Sequence, residues 1–244
     1  MVTTKLPDSL DHGAGGRIYA IGDVHGHADK LIAMHEAIRR DLQSDPAPSP
    51  MLIHLGDYID RGPDSALCLS MLAGRPPLSG VPTINLMGNH ESMLLDALNG
   101  PSLATVGLWL HNGGDMALES WGVPREAPAE RWAELIPPAQ LALLRGLRLT
   151  YATERYLFVH AGVRPGVALA AQRPHDLLWI REQFLNWEGP MLPEAPDRIV
   201  VHGHTPAWEP ELRPNRIGID TNAARGGPLT CVVLDAGPPR FIQV

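Results

Sequence analysis

Apolar runs of strand length alternate with stretches of helical period through roughly the first hundred residues. Residues 17–21 (RIYAI), 51–55 and 83–86 are the apolar runs. Between them, 27–43 carries apolar side chains at 31, 32, 34, 38 and 42, close to one helical face. Residues 44–50 (SDPAPSP) break the chain. A helix is predicted over 64–73, with Pro63 suited to its start, and another over about 91–99. Strand followed by helix, three times over, is the pattern of an α/β protein.

From 101 to about 151 the texture changes. Trp109, Trp121 and Trp132, separated by Leu and Ala, predict a helical insertion that covers one edge of the molecule. Strands then return at 156–159, 199–201, 216–219, 229–234 and 241–244. Gly/Pro turns separate the last three, which are expected to form an antiparallel second sheet. The predicted fold is therefore α/β, a two-sheet sandwich flanked by helices in four layers, with a helical insertion. The length of 244 residues suits one domain over 1–244. Residues 1–16, polar and Gly-rich, read as a loose lead-in.

Composition narrows the setting. The formal charge is −7 and no Lys/Arg-rich run occurs, so nucleic acid is not an expected partner. No apolar run approaches the roughly 18 residues of a membrane span, and 1–16 lacks the apolar core of a secretory signal. A cytoplasmic location is the expectation. Cys68 and Cys231 are the only cysteines, both in apolar surroundings, and read as buried free thiols.

The chemistry sits in five short blocks, each closing an expected strand. They are Gly22-Asp23-Val24-His25-Gly26, Gly56-Asp57-Tyr58-Ile59-Asp60-Arg61-Gly62, Gly88-Asn89-His90-Glu91, His160-Ala161-Gly162 and His202-Gly203-His204-Thr205. Alone, each block reads as a turn or helix cap. Together they offer enough oxygen and nitrogen ligands for two divalent cations. Asp23 and His25 lie on one tight turn, and the Asp57 carboxylate is able to bridge two ions. Asn89 offers an amide oxygen, and His160 and His204 offer imidazole nitrogens. Hard oxygen mixed with imidazole, without thiolate, suits Mn²⁺, Fe or Zn²⁺. Two such ions push a water into a phosphate ester. With Asp23, Asp57 and a hydroxide bound, the cluster keeps about one net positive charge, so an acidic protein still receives an anionic substrate.

His90, next to Asn89, is placed to give a proton to a leaving oxygen. Asp60 is placed to hold its other ring nitrogen, and the Arg61 fork matches two phosphate oxygens. Between His202 and His204, the Gly-His-Thr frame favours 204 as the ligand, leaving 202 to end a strand. His27 reads as a helix start rather than a site residue. His12, His35, His54, His111 and His175 match no block and read as surface or packed residues. Asn112-Gly113-Gly114-Asp115, in the insertion, either lines the groove or caps a helix.

As a set, the blocks resemble the phosphoprotein phosphatase family of calcineurin-like metallophosphoesterases, in its compact bacterial and phage form. The resemblance spans residues 22–205. It implies a first metal held by Asp23, His25 and Asp57, and a second held by Asp57, Asn89, His160 and His204. It implies an acid dyad of His90 and Asp60, and a phosphate clamp at Arg61. A second clamp arginine belongs between the last two histidines. Leu177-Leu178-Trp179-Ile180-Arg181 resembles the short bacterial version, which points to Arg181. The implied mechanism is in-line attack by a metal-bridging water without a phosphoenzyme. One departure is Met87, where the family usually carries Arg.

The leading expectation is a metal-dependent phosphatase, manganese being the favoured metal. Its substrates are phosphoserine or phosphothreonine in a phosphorylated protein, or a small phosphoester. A dinucleoside polyphosphate hydrolase of the diadenosine tetraphosphate type is the alternative. Asp60 before Arg61, and Glu91 after His90, favour the first, because the symmetrical diadenosine tetraphosphatases resemble a variant with Ala and Asp there. A non-catalytic scaffold on the same fold is opposed by the intact ligands and dyad. Tyrosine phosphate, nucleotide substrates and the oligomeric state stay open.

Overall fold

The computed structural model describes residues 16–244, so the 1–16 lead-in, Gly16 apart, and His12 lie outside the described residues. The first strand, β1 (Gly16–Ile21), is buried from Arg17 onward. It is followed by α1 (Ala28–Ser44), β2 (Ser49–His54), α2 (Ser65–Ala73), β3 (Thr83–Asn85) and α3 (Asn89–Asn99). Each predicted strand–helix pair forms. β1, β2 and β3 pair in parallel, so their carboxyl ends, and the first three blocks, point to one edge of the sheet.

The chain between β3 and the second sheet is helical: α4 (Leu103–Trp109), α5 (Asp115–Ser120), α6 (Trp132–Leu135) and α7 (Pro138–Gly146). A single π-helical turn at Leu110–Gly114 joins α4 to α5. Trp109 and Trp132 are buried against each other, with ring centroids 5.6 Å apart. Trp121 donates its indole N–H to Gln140 Oε1 at 2.7 Å.

β4 (Thr150–Ala152), β5 (Tyr156–Val159), β6 (Ile199–His202), β7 (Glu211–Leu212) and β8 (Arg216–Gly218) build the second sheet, in the order β4-β5-β6-β8-β7. Two short helices, α8 (Pro174–Trp179) and α9 (Glu182–Leu185), lie between β5 and β6. The last strands are β9 (Thr230–Leu234) and β10 (Arg240–Gln243). They depart from expectation. Both join the first sheet, in the order β10-β9-β1-β2-β3, and β9 runs antiparallel to β1. Only β8 stays in the second sheet, parallel to β6 and antiparallel to the two-residue β7. The reason is burial. All five residues of β9 (TCVVL) are buried, and a strand apolar on both faces belongs in the middle of a covered sheet. The Gly/Pro turns mark reversals of the chain without marking which sheet receives it.

The two sheets face each other across a core that includes Ile18, Ala20, Ile53, Phe158, Val201, Ile217 and Val232. A second cluster packs the other face of the first sheet against α1–α3 and the helical segment, through Leu31, Met34, Leu69, Leu94 and Trp109. Cys68 and Cys231 are buried free thiols. Among the described residues no helix is long and apolar enough to cross a membrane.

His35 and His54 are buried and bonded, Nε2 to Nε2 at 2.9 Å, and His54 Nδ1 meets Asn85 Oδ1 at 2.9 Å. The amide oxygen takes the His54 Nδ1 proton, so His35 donates to His54 and both rings are neutral. Burial pushes His35 down to about 4 and His54 down to about 3. An unfolded histidine takes up a proton near pH 6.5; these two do not while folded. Their stabilising contribution is complete above about pH 6.5 and is lost as the pH falls toward 4. Thermal unfolding of His35→Gln between pH 6.5 and 4.5 should therefore lose stability less steeply than wild type, by about 1 kcal/mol per pH unit. An unchanged slope would mean the pair is not protected from protonation.

Candidate active site

The five blocks converge at the carboxyl ends of β1, β2, β3, β5 and β6. Asp23, His25, Asp57, Asn89, His160 and His204 are all at most 5% exposed. Two groups of their atoms, together with His90, form clusters: His25, Asp57 and His90 in one, Asp57, His160 and His204 in the other, with all ligand atoms of each within 4.8 Å of one another. Asp57 belongs to both. Its Oδ2 lies 3.5 Å from His25 Nε2, while its Oδ1 lies 3.4 Å from His160 Nε2. The two oxygens of one carboxylate thus face opposite clusters. Asn89 Oδ1 sits 2.9 Å from both His160 Nε2 and His204 Nδ1.

Neighbouring backbone sets the histidine tautomers. His25 Nδ1 meets the Ile59 carbonyl at 3.0 Å, and His160 Nδ1 meets the Leu55 carbonyl at 3.1 Å. A carbonyl only accepts, so Nδ1 carries the proton and Nε2 presents a lone pair to the cluster. His204 Nε2 is buried with no partner. This donor set, with the His25 and His160 lone pairs turned inward onto carboxylate and amide oxygens, fits divalent cations. Close backbone approach is built in: a Cβ on Gly88 would stand 2.1 Å from Asp57 Oδ1, and one on Gly203 2.0 Å from Asp23 Oδ1.

His90 Nδ1 bonds Asp60 Oδ2 at 2.7 Å, and Arg61 stands over the first cluster, 2.8 Å from His25 Nε2 and 2.9 Å from His90 Nε2. Arg181, between α8 and α9, donates to the His204 carbonyl at 3.4 Å. Arg61 and Arg181 line one cleft of about 230 Å³ with Asp57, Asn89, His90 and Asn112. Six non-glycine residues among those described have positive φ: His25, Asp57, Asp60, Arg61, His204 and Asn222. Five of them line the cleft and the sixth, Asp60, supports His90. Strained backbone concentrated this way is retained where function requires a fixed geometry.

The family model described as calcineurin-like phosphoesterase matches residues 16–231. The chain belongs to this family. Serine/threonine-protein phosphatase 1 of Salmonella typhimurium is 33% identical over 216 residues, covering 87% of this chain and 89% of that protein. A symmetrical bis(5'-nucleosyl)-tetraphosphatase of Dechloromonas aromatica is 25% identical over 263 residues, covering 89% and 92%. Among solved structures, the cold-active protein-tyrosine phosphatase of a psychrophilic Shewanella species superposes with a TM-score of 0.62. It is 18% identical, with 98% of this chain and 82% of that chain covered, a likeness of fold. The protein is thus a metallophosphoesterase, a hydrolase of phosphoric esters built around divalent metal.

Within this phosphoesterase, burial dominates the electrostatics. It pushes the Asp23, Asp57 and Asp60 carboxyls up and the His25, His90 and His204 rings down. His160 is lowered to about 4. Neutral imidazoles at neutral pH are the form that binds a cation.

Of the residues weighed from sequence, Asn112 lines the cleft, so its segment faces the groove, and Arg61 N–H donates to the Gly113 carbonyl at 3.1 Å. His202 ends β6. His27 is the residue before α1 and does not line the cleft. His111 and His175 are exposed.

Sequence reasoning missed the roles of three groups. Glu91 is fully buried, and its carboxylate accepts from the N–H groups of Asp57, Tyr58, Ile59 and Gly88 at 2.7–3.3 Å, tying the second block to the third. Trp109 donates its indole N–H to Asp60 Oδ2 at 2.9 Å, so the helical segment braces the dyad from behind. Asp220, just after β8, is 8% exposed and lines the cleft. Only Asp220 carried a usable signal, an acid at the end of a strand like the others. Glu91 and Trp109 act through contacts that join distant segments.

Proposed function

We propose that this metallophosphoesterase is a phosphomonoesterase acting on phosphoserine and phosphothreonine. The observation that carries the reading is the His90–Asp60 pair at 2.7 Å, with His90 opening on the same cleft as Arg61 and Asp57. A serine or threonine alkoxide is a poor leaving group that needs a proton as the P–O bond breaks. The leaving phosphate of a polyphosphate chain does not. A complete, buried proton donor therefore favours the alkyl ester, and the Salmonella relative, aligned over most of both chains, carries a matching name.

In this reading Asp23, His25 and Asp57 would hold one cation, and Asp57, Asn89, His160 and His204 the other, with Mn²⁺ the favoured metal. Bound there, the ions supply a nucleophilic water at neutral pH and draw charge from the phosphoryl oxygens. Arg61 releases His25 and His90 to fork two of those oxygens, and Arg181, held at the His204 carbonyl, meets them from the side of the second cluster. Asp60 holds the His90 ring with Nδ1 toward its carboxylate and Nε2 toward the leaving oxygen, opposing the burial that works against the imidazolium. His90 protonates that oxygen as its bond to phosphorus breaks, so the alcohol leaves neutral. Glu91 keeps the Asp57 loop in register, and Trp109 keeps Asp60 in place.

The test is phosphate release by Mn²⁺-loaded protein from a phosphothreonine peptide and from diadenosine tetraphosphate, side by side. Faster turnover of the peptide is expected. Cleavage of the nucleotide alone would replace this reading with the polyphosphate hydrolase suggested by the Dechloromonas relative.

A further inference from the structure

Two arginines serve the phosphoryl group in the reading above, and the same cleft holds a third. Arg225 lines it together with Arg61 and Arg181. Its side chain is exposed, and no hydrogen bond or ion pair joins its guanidinium to another described residue. Asp220, the nearby acid of the cleft, accepts instead from the Asn222 N–H at 3.1 Å.

The loop that carries Arg225 is fixed on every side. Left-handed residues bracket the turn, Asn222 with φ 65° and Gly226 with φ 90°. The Asn222 carbonyl accepts from the N–H of both Arg225 and Gly227 at 2.9 Å. From α1, Lys30 donates to the Ala223 carbonyl at 2.9 Å and the Gly227 carbonyl at 2.7 Å. A Cβ on Gly227 would stand 2.0 Å from the Thr221 carbonyl oxygen. A charge on a slack loop would be an ordinary solvated side chain. This one is presented to the catalytic cleft from a clamped turn.

A transferring phosphoryl group has three equatorial oxygens. The Arg61 fork suits two of them and Arg181 reaches the remainder, before any cation is added. With two guanidiniums already given to that group, a third in the same cleft is placed to meet a group beside it. We infer that Arg225 selects substrates carrying a second anionic group beside the scissile phosphoryl group. The inference rests on the phosphatase reading above. That second group is either a carboxylate flanking the phosphorylated residue or the next phosphate of a polyphosphate chain; both present oxygens to a guanidinium in the same way.

Calorimetric binding of two phosphonates to the Mn²⁺-loaded full chain tests it without turnover. Methylphosphonate carries the phosphoryl-like group alone, and phosphonoacetate adds a neighbouring carboxylate. Wild type should bind phosphonoacetate about 5-fold or more tightly, the worth of one partly exposed ion pair. Arg225→Ala should bring the two affinities together, and Arg225→Lys should keep part of the gap. Equal affinities in wild type would overturn the inference. So would a gap that survives in Arg225→Ala, which would assign the preference to the metals. Failure to bind either phosphonate would instead remove the phosphoryl site and the proposed function with it. The source follows from kcat/KM of Arg225→Ala relative to wild type. A larger loss on a phosphothreonine-Asp peptide than on its phosphothreonine-Ala counterpart names an acidic peptide. A larger loss on diadenosine tetraphosphate names a polyphosphate, and no loss on any of the three overturns the inference.

Discussion

Asp57→Asn is expected to cut turnover by about 10³-fold or more, the largest effect of any single substitution in the cleft. The two Asp57 oxygens face separate imidazole clusters, 3.5 Å from His25 and 3.4 Å from His160. An amide keeps one of those oxygens and replaces the other with an NH2 that binds no cation, so one site would lose its ligand atom and the bridge between the two would be broken. Metal activation is worth several kcal/mol of transition-state charge, and each 1.36 kcal/mol is tenfold in rate. Phosphate release and bound-metal content measured on the same preparation check this. A rate near wild type would end the two-metal reading. The sign reverses for stability without metal. Burial raises the Asp57 carboxyl, so its charged form costs stability as pH rises above the ordinary carboxylate range. Above neutral pH the metal-free Asp57→Asn protein should therefore melt at a higher temperature than metal-free wild type. That rise would show the amide is folded into place and that the lost activity is chemical.

His90→Asn should lower kcat by about 10²-fold or more on a phosphothreonine peptide. On p-nitrophenyl phosphate the loss should be much smaller. The difference is leaving-group basicity: an alkoxide needs the proton, while p-nitrophenolate departs as an anion. The geometry supports a proton donor rather than a ligand, because Nδ1 is committed to Asp60 at 2.7 Å and Asp60 is itself held by Trp109 at 2.9 Å. Equal losses on the two substrates, with loss of metal, would move His90 into the metal site, to which its 3.9 Å separation from Asp57 brings it close.

Much of this site was legible in the chain. Turn chemistry and ligand type are local: a strand-length apolar run, then Gly-Asp or Gly-Asn, then a helix. That local order placed Asp23, Asp57 and Asn89 at strand ends, and parallel pairing of β1, β2 and β3 brings those ends to one edge. His160 and His204 likewise stand at strand ends, of β5 and β6 in the second sheet, though no helix follows directly.

Elsewhere local pattern gave no answer. The turns before β9 and β10 were read correctly as reversals, but not the sheet that takes those strands. Burial on both faces decides that for β9, through helices packed far away in sequence, and β10 follows by pairing with β9. Glu91 accepts four backbone N–H groups, three of them 32–34 residues away, and Trp109 reaches Asp60 across 49 positions. Arg225 belongs to none of the five blocks, and only the closed turn around it sets it at the cleft. The sequence by itself determined the chemistry available, because residue type and adjacent glycine set what each strand end offers. Only the tertiary structure decided which strand ends meet, what braces them and which free cation faces the substrate, because those depend on long-range pairing and shared burial.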